Sequence, residues 1–259
     1  MKKLNIKLLL AVSLFTVISC SKDNDSATPT FTVTDFTDCK VLNLTNDNYK
    51  IVYAYNSNGS INTISEYYTS DLTTPIEVYT YTHKSGTITY TSKSGREQGN
   101  YTINASGRVT TSNITQYNGP DPTSVTSELM TSYEYDANGN LIKRTVTSEN
   151  PAESTTTTYT YIWVNGNITN EISVSQSGST SNTAYTYYTD KLNAFSSLTS
   201  LIDFTGPDSK NLIKASSNSI SGSIYESYTY EFDAAGKPLK IIITDNSNTY
   251  NTFATFMCP

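Results

Sequence analysis

The chain is poor in the residue types from which most catalytic sites are built. Its 259 residues include one histidine, one tryptophan and three cysteines. Any Ser-His-Asp or Cys-His device would have to pass through His83. Zinc sites made from several His and Cys are excluded by count. Charge is scarce as well: charged residues make up 15%, with a formal net charge of −6 and a pI near 4.8. A polyelectrolyte tail is therefore excluded. No Lys/Arg cluster survives in the body, so no nucleic-acid partner is expected. Phosphate cradles of the GxGxxG or GxxxxGK[ST] kind are absent. What fills the chain instead is 34 Ser, 42 Thr, 25 Asn and 21 Tyr: hydroxyl, amide and phenol.

The first twenty residues read MKKLNIKLLLAVSLFTVISC. Lys2, Lys3 and Lys7 form a positive segment, and residues 8–18 form an apolar run. That run is too short to cross a hydrocarbon core of about 30 Å, but it suits the apolar region of a signal peptide. It ends in Ser19-Cys20, which resembles a bacterial lipobox. The resemblance implies cleavage before Cys20 and acylation of its sulfur and amine, enough for stable membrane attachment. The expected organisation is a signal peptide over 1–19, a lipidated Cys20 with a tether over 20–32, and a β-repeat domain over 33–259. An ordinary secretory peptide is the alternative.

Ser21-Lys22-Asp23-Asn24-Asp25 resembles the acidic export signal of surface lipoproteins in the Bacteroidota, and otherwise reads as a solvated linker. Asp25-Ser26-Ala27 resembles that phylum's O-glycosylation acceptor, with Ser26 as the modified residue. With Cys20 taken by lipid, Cys39 and Cys258 are left in a compartment where disulfides persist. They either bridge, closing nearly the whole domain, or stay as two free thiols.

One pattern recurs, Tyr-x-Tyr or a variant of it, two to five residues of Asn/Asp/Ser/Ala, Gly, then Leu/Ile/Val. Copies start at Tyr53, Tyr79, Tyr101, Tyr133, Tyr159 and Tyr230, with glycines at 59, 86, 107, 139, 166 and 236. A degenerate copy lies around Tyr185-Thr186-Tyr187-Tyr188. A repeat at this period describes architecture first. Tyr, Thr, Ile and Val favour a pleated, half-buried surface, and alternation puts both aromatics on one face. Asn/Asp-x-x-Gly makes a hairpin turn with a bulge.

Each copy is one hairpin, and seven copies predict on the order of 14 strands, all antiparallel. The fold class expected is all-β: an up-and-down meander of hairpin repeats, curled or closed into a barrel-like sheet to protect its edges. At most one or two short helices are expected. Residues 190–204 are the candidate, where Leu192, Phe195, Leu198 and Ile202 keep near-helical spacing. Positions between the aromatics are mostly Thr, Ser, Glu and Lys, so the outward apolar band of a transmembrane barrel is not expected.

Tyr133-Glu134-Tyr135-Asp136-Ala137-Asn138-Gly139 resembles the YD repeat of Rhs and teneurin-type proteins, although this chain is too short for their closed shells. The segments Tyr187-Tyr188-Thr189-Asp190-Lys191-Leu192-Asn193-Ala194-Phe195 and Ser209-Lys210-Asn211-Leu212 bring a closer likeness. They make residues 49–250 similar to small Bacteroidota lipoproteins with a DUF4595-type, porin-like β domain. That resemblance implies a fold and carries no activity.

Candidate chemistry is thin. His83 reads as a solvent-facing turn residue. Asp136-Ala137-Asn138-Gly139-Asn140 superficially resembles a calcium loop, but the frame is broken and a hairpin turn explains it. No carboxylate pair is singled out among the 23 acids. No cofactor, no metal and no enzymatic activity are expected. Tyrosine remains: Tyr159, Tyr161 and Trp163 form the cluster best suited to stack on sugars, against a reading in which Tyr-x-Tyr only builds the sheet.

The expected function is a lipid-anchored, surface-exposed, non-enzymatic binding or adhesion module. Its partners would be the outer membrane through lipid and a glycan or host matrix component. The alternatives are a barrel carrying an apolar or lipid ligand, a structural envelope protein, and a carboxylate-pair hydrolase.

Overall fold

The computed structural model describes residues 39–258, apart from Pro120, Pro122, Ser197, 199–204, Gly206 and Pro207. The expected signal peptide, Cys20, Ser26 and the tether lie outside the described residues.

Seven hairpins follow one another along the chain. They are β2 (Tyr49–Tyr55) with β3 (Ile61–Tyr68), β4 (Glu77–Lys84) with β5 (Thr87–Ser92), and β6 (Glu97–Ile103) with β7 (Val109–Tyr117). Next come β8 (Val125–Tyr135) with β9 (Leu141–Asn150), and β10 (Glu153–Val164) with β11 (Asn167–Ser175). The last two are β12 (Thr180–Leu192) with β13 (Asn211–Asn218), and β14 (Ile224–Phe232) with β15 (Pro238–Asp245). Two flanking strands complete the set, β1 (Lys40–Thr45) and β16 (Thr249–Met257), and these pair with each other. The result is a closed antiparallel barrel in strict sequence order, with no free edge. The repeat predicts the seven hairpins; the two extra strands close the ring.

Three of the hairpins share one turn chemistry. At Asn104, Asp136 and Asp233 the side-chain oxygen accepts the N–H groups two and four residues on. The glycine three residues on donates back to the same residue's carbonyl. Gly139 and Gly236 sit at φ 82°, the left-handed position that closes such a turn. The Asp136 carboxylate is thus fully used as a turn acceptor by Asn138 and Asn140.

Just past five of the six tight turns comes a bulge, at Asn62, Thr110, Ile142, Thr169 and Leu239, where the register skips one residue; the β4–β5 turn has none. A bulge leaves a ladder carbonyl short of a partner. At the first four of these, and at a further bulge at Leu42 of β1, a ring from the following strand takes it. Tyr55 Oη donates to Val41 O at 2.6 Å, Tyr135 Oη to Val109 O at 2.8 Å, and Trp163 Nε1 to Leu141 O at 2.8 Å. Tyr187 Oη donates to Ile168 O. His83 Nε2 lies 2.7 Å from Ile61 O and fills the same role in β4. His83 is therefore a half-buried strand residue, correcting its reading as a solvent-facing turn histidine.

The core lies inside the barrel. Tyr53, Ile64, Tyr81, Ile88, Tyr90, Tyr101 and Tyr228 belong to one buried cluster drawn from both halves of the ring. The sixth hairpin departs from the others: 193–210 replaces its tight turn. Within it Phe195 and Leu198 are 1% exposed and join the core, Phe195 packs on Phe256 of β16, and Ala194 packs with Cys39. At its other end Ser209 Oγ accepts from Ile168 N of β11. Through these described residues the segment links β11 to the β1–β16 seam, and Phe195 and Leu198 plug the turn end of the barrel. A helix over 190–204 is corrected in part: residues up to Leu192 extend β12 and pair with Asn211, and among the described residues of the rest Ser196 and Leu198 are helical. Ile202 lies outside the described residues.

Candidate functional site

Register fixes which side chains enter the barrel. Arg144 of β9 stands opposite Tyr133 on one side and Tyr159 on the other; Tyr161 stands opposite Glu171 of β11. Tyr133 packs on the core cluster, so this whole row faces inward. Tyr159, Tyr161 and Trp163 accordingly share the inner face of β10, with a bulge between Ile162 and Trp163. Trp163 spends its only donor on Leu141, and one face of the Tyr159 ring carries the Arg144 guanidinium at 4.4 Å from the centroid.

Two charged groups therefore sit inside the ring with the aromatics. Burial pushes the Glu171 carboxyl up, and Arg144 draws it partly back. Burial also opposes the charge of Arg144, but the Tyr161 and Tyr133 phenols and Glu171 outweigh it and hold the guanidinium protonated. Arg144 Nε is buried without a hydrogen-bond partner. Among the described residues no hydrogen bond or ion pair joins Arg144 or Glu171 to another side chain.

A sector of the ring nearer β6 is finished differently. Glu97 accepts from the Tyr90 hydroxyl, from Gln116 Nε2 and, through its own N–H, bonds Ser92 Oγ. Its carboxylate is satisfied by the protein itself.

Arg144 and Glu171 are not legible from simple alternation. Reading Leu141, Lys143 and Thr145 as one face puts Arg144 outside, and reading Ile168, Asn170 and Ile172 as one face puts Glu171 outside. The bulges at Ile142 and Thr169 invert both strands. The signal that finds them is the repeat itself, since each Asx-Gly turn followed by an aliphatic residue announces a bulge.

The outer wall is the reverse of a membrane-spanning one, in which apolar side chains face out and polar ones in. Outward positions on β4 to β7 include Thr80, Thr82, Thr89, Thr91, Asn100, Thr102, Thr111 and Asn113. The apolar residues on this face have polar cross-strand neighbours. Ile172 lies between Thr160 and Asn182, Val174 between Thr158 and Thr180, and Phe253 between Lys240 and Thr45. No helix among the described residues is long and apolar enough to cross a membrane, and no group of three or more His, Cys, Asp or Glu among them is placed to hold a metal ion.

Both termini of the ring are fixed together. Cys39 and Cys258 are joined in a disulfide at the turn end, beside Lys40, whose Nζ lies against Gly59 of the first turn.

This geometry defines a class, the closed antiparallel meander barrel of sixteen strands. No family model matches the chain, and no curated protein matches it. It is similar to a porin-like protein from Bacteroides uniformis, with a TM-score of 0.60 and 16% identity over 85% of this chain and 96% of that one. A porin-like protein from Bacteroides vulgatus gives a TM-score of 0.55 and 13% identity over 83% and 97%. At such identities the likeness is one of fold.

Proposed function

We propose that the protein is a lipid-anchored barrel of the outer membrane that stands clear of the bilayer, on the cell surface, and binds a glycan or matrix ligand without transforming it. The observation that carries this reading is the inverted wall. A barrel with Thr and Asn outside and Tyr and Ile inside gains nothing from lipid, so attachment falls to Cys20 and the body stays in water. Export behind Ser21–Asp25 gives such a body access to external ligands, and Ser26 is its glycosylation site. Tyr159, Tyr161 and Trp163 contribute the aromatic surface inside the ring.

Protease treatment of intact host cells tests the placement. The barrel is expected to be lost or nicked from whole cells, and Cys20→Ala is expected to release it from the membrane fraction. Full protection until the outer membrane is opened would refute surface exposure. A second reading, a carrier of an apolar or lipid ligand, draws on the inward aromatics. Mass spectrometry of the purified protein decides it, because a carrier retains a stoichiometric lipid.

A further inference from the structure

We infer that the interior of the barrel between β8 and β12 holds a saccharide-binding site in which Arg144 donates to, and Glu171 accepts from, the hydroxyls of a neutral sugar. The inference deepens the binding role proposed above and rests on it.

A guanidinium offers five N–H donors and a carboxylate about four acceptor positions. Leaving such groups in a barrel interior without direct partners costs free energy unless water or a ligand completes them. Here the protein has the means to complete them and does not. The Glu97 network on β5 to β7 shows how this fold satisfies a buried carboxylate when it is structural. Arg144 Nε remains without a partner, and Arg144 is fixed in place by its contact with the Tyr159 ring.

Access is available from the end opposite the plug. Leu129 points inward from β8, opposite Ser148, yet is 36% exposed, and Arg144, Tyr159, Tyr161 and Glu171 are all only half-buried by their surroundings.

The chemistry of the pair selects among ligands. An apolar chain would strip water from both charges and return nothing. An anionic ligand would pair with Arg144 but set a second negative charge beside Glu171, and inward-facing Glu226 on β14 adds to that repulsion. A neutral polyol satisfies both at once, because every hydroxyl accepts from the guanidinium side and donates to the carboxylate side. The apolar face of a sugar ring also matches the phenol faces of Tyr159, Tyr161, Tyr133 and Tyr185.

The test uses the full-length purified protein, neutral oligosaccharides, a uronic-acid oligosaccharide and a fatty acid as probes. The chain has three arginines, Arg96, Arg108 and Arg144. Phenylglyoxal modification read by mass spectrometry therefore reports Arg144 with two internal controls and no mutation. A neutral oligosaccharide is expected to slow modification of Arg144 at least about fivefold and leave Arg96 and Arg108 unchanged. In calorimetry, Glu171→Gln and Arg144→Met are each expected to weaken binding at least about tenfold, with near-ultraviolet circular dichroism unchanged.

The inference is overturned if no neutral saccharide protects Arg144, or if the uronate or fatty acid protects it instead. Saccharide binding that survives both substitutions also overturns the lumen site while leaving the binding role standing. That result is distinguishable from failure of the surface placement, which the protease experiment reads.

Discussion

At the scale of single residues, the aromatics of the repeat are bonded parts of the backbone scaffold. Each ring donor that reaches a bulge carbonyl removes a buried acceptor from the unsatisfied column. Tyr135→Phe and Trp163→Phe keep the ring and lose the bond, so each is expected to lower stability by about 1 kcal/mol, measured as a shift in denaturation midpoint at constant slope. Burial pushes the Tyr55 phenol up to about 12, which keeps it a donor throughout the range in which the protein works. Gly99 is a sharper case. A Cβ there would meet Tyr90 Cε1 at 2.1 Å, and that ring is held by its hydroxyl on Glu97. Gly99→Val is expected to cost roughly 1–3 kcal/mol through overpacking.

The turn aspartates make a linkage argument. Asp136 is held below its usual range by bonds from the Asn140 side chain and backbone, and Asp71 by bonds from Thr73. A depressed folded value means the stabilisation is complete above the unfolded pKa of about 4 and disappears as pH falls through the folded value. Urea midpoints between about pH 5 and pH 2 should fall accordingly, and Asp136→Asn should flatten part of that slope.

At the scale of elements, the repeat made the hairpins readable and hid what lies between them. Tyr-x-aromatic followed by Asx-x-x-Gly specifies a strand, a turn and a return strand from local chemistry alone. Period-2 alternation then fails one residue later, because the bulge at Ile142 or Thr169 flips the strand. That is why the aromatics of the candidate site were legible and its charged pair was not.

The sixth hairpin failed for another reason. Near-helical spacing of Leu192, Phe195 and Leu198 was read as one element, whereas Leu192 ends β12 and only Phe195 and Leu198 enter the plug. Spacing records that residues share a buried face; it does not record which element buries them. Phe195→Ala is expected to destabilise by about 3–5 kcal/mol, a penalty of core type at a position outside every strand, and calorimetric unfolding would measure it.

For the whole molecule, closure is the governing fact. β1 and β16 come from opposite ends of the chain, so their pairing is the longest-range contact in the fold and the last that local signals could announce. The Cys39–Cys258 disulfide spans a separation of 219 residues and fastens that seam. The chain-entropy relation gives a contribution of roughly 5 kcal/mol for a loop of this size. Cys39→Ser with Cys258→Ser is expected to lower the thermal midpoint strongly while leaving the far-ultraviolet circular dichroism of a β protein at low temperature. No loss beyond that of a surface substitution would mean that β1–β16 pairing alone holds the ring.

The disulfide also settles how the barrel meets mechanical load. Under the anchoring proposed above, a pull that reaches Cys39 divides at once between β1 and β16, both of which run away from that point along their own length. Their hydrogen bonds to neighbouring strands are then loaded in parallel, as a lap joint is, instead of one after another, as a zip is. An anchored body that holds a ligand against flow is strongest when force enters it in that way.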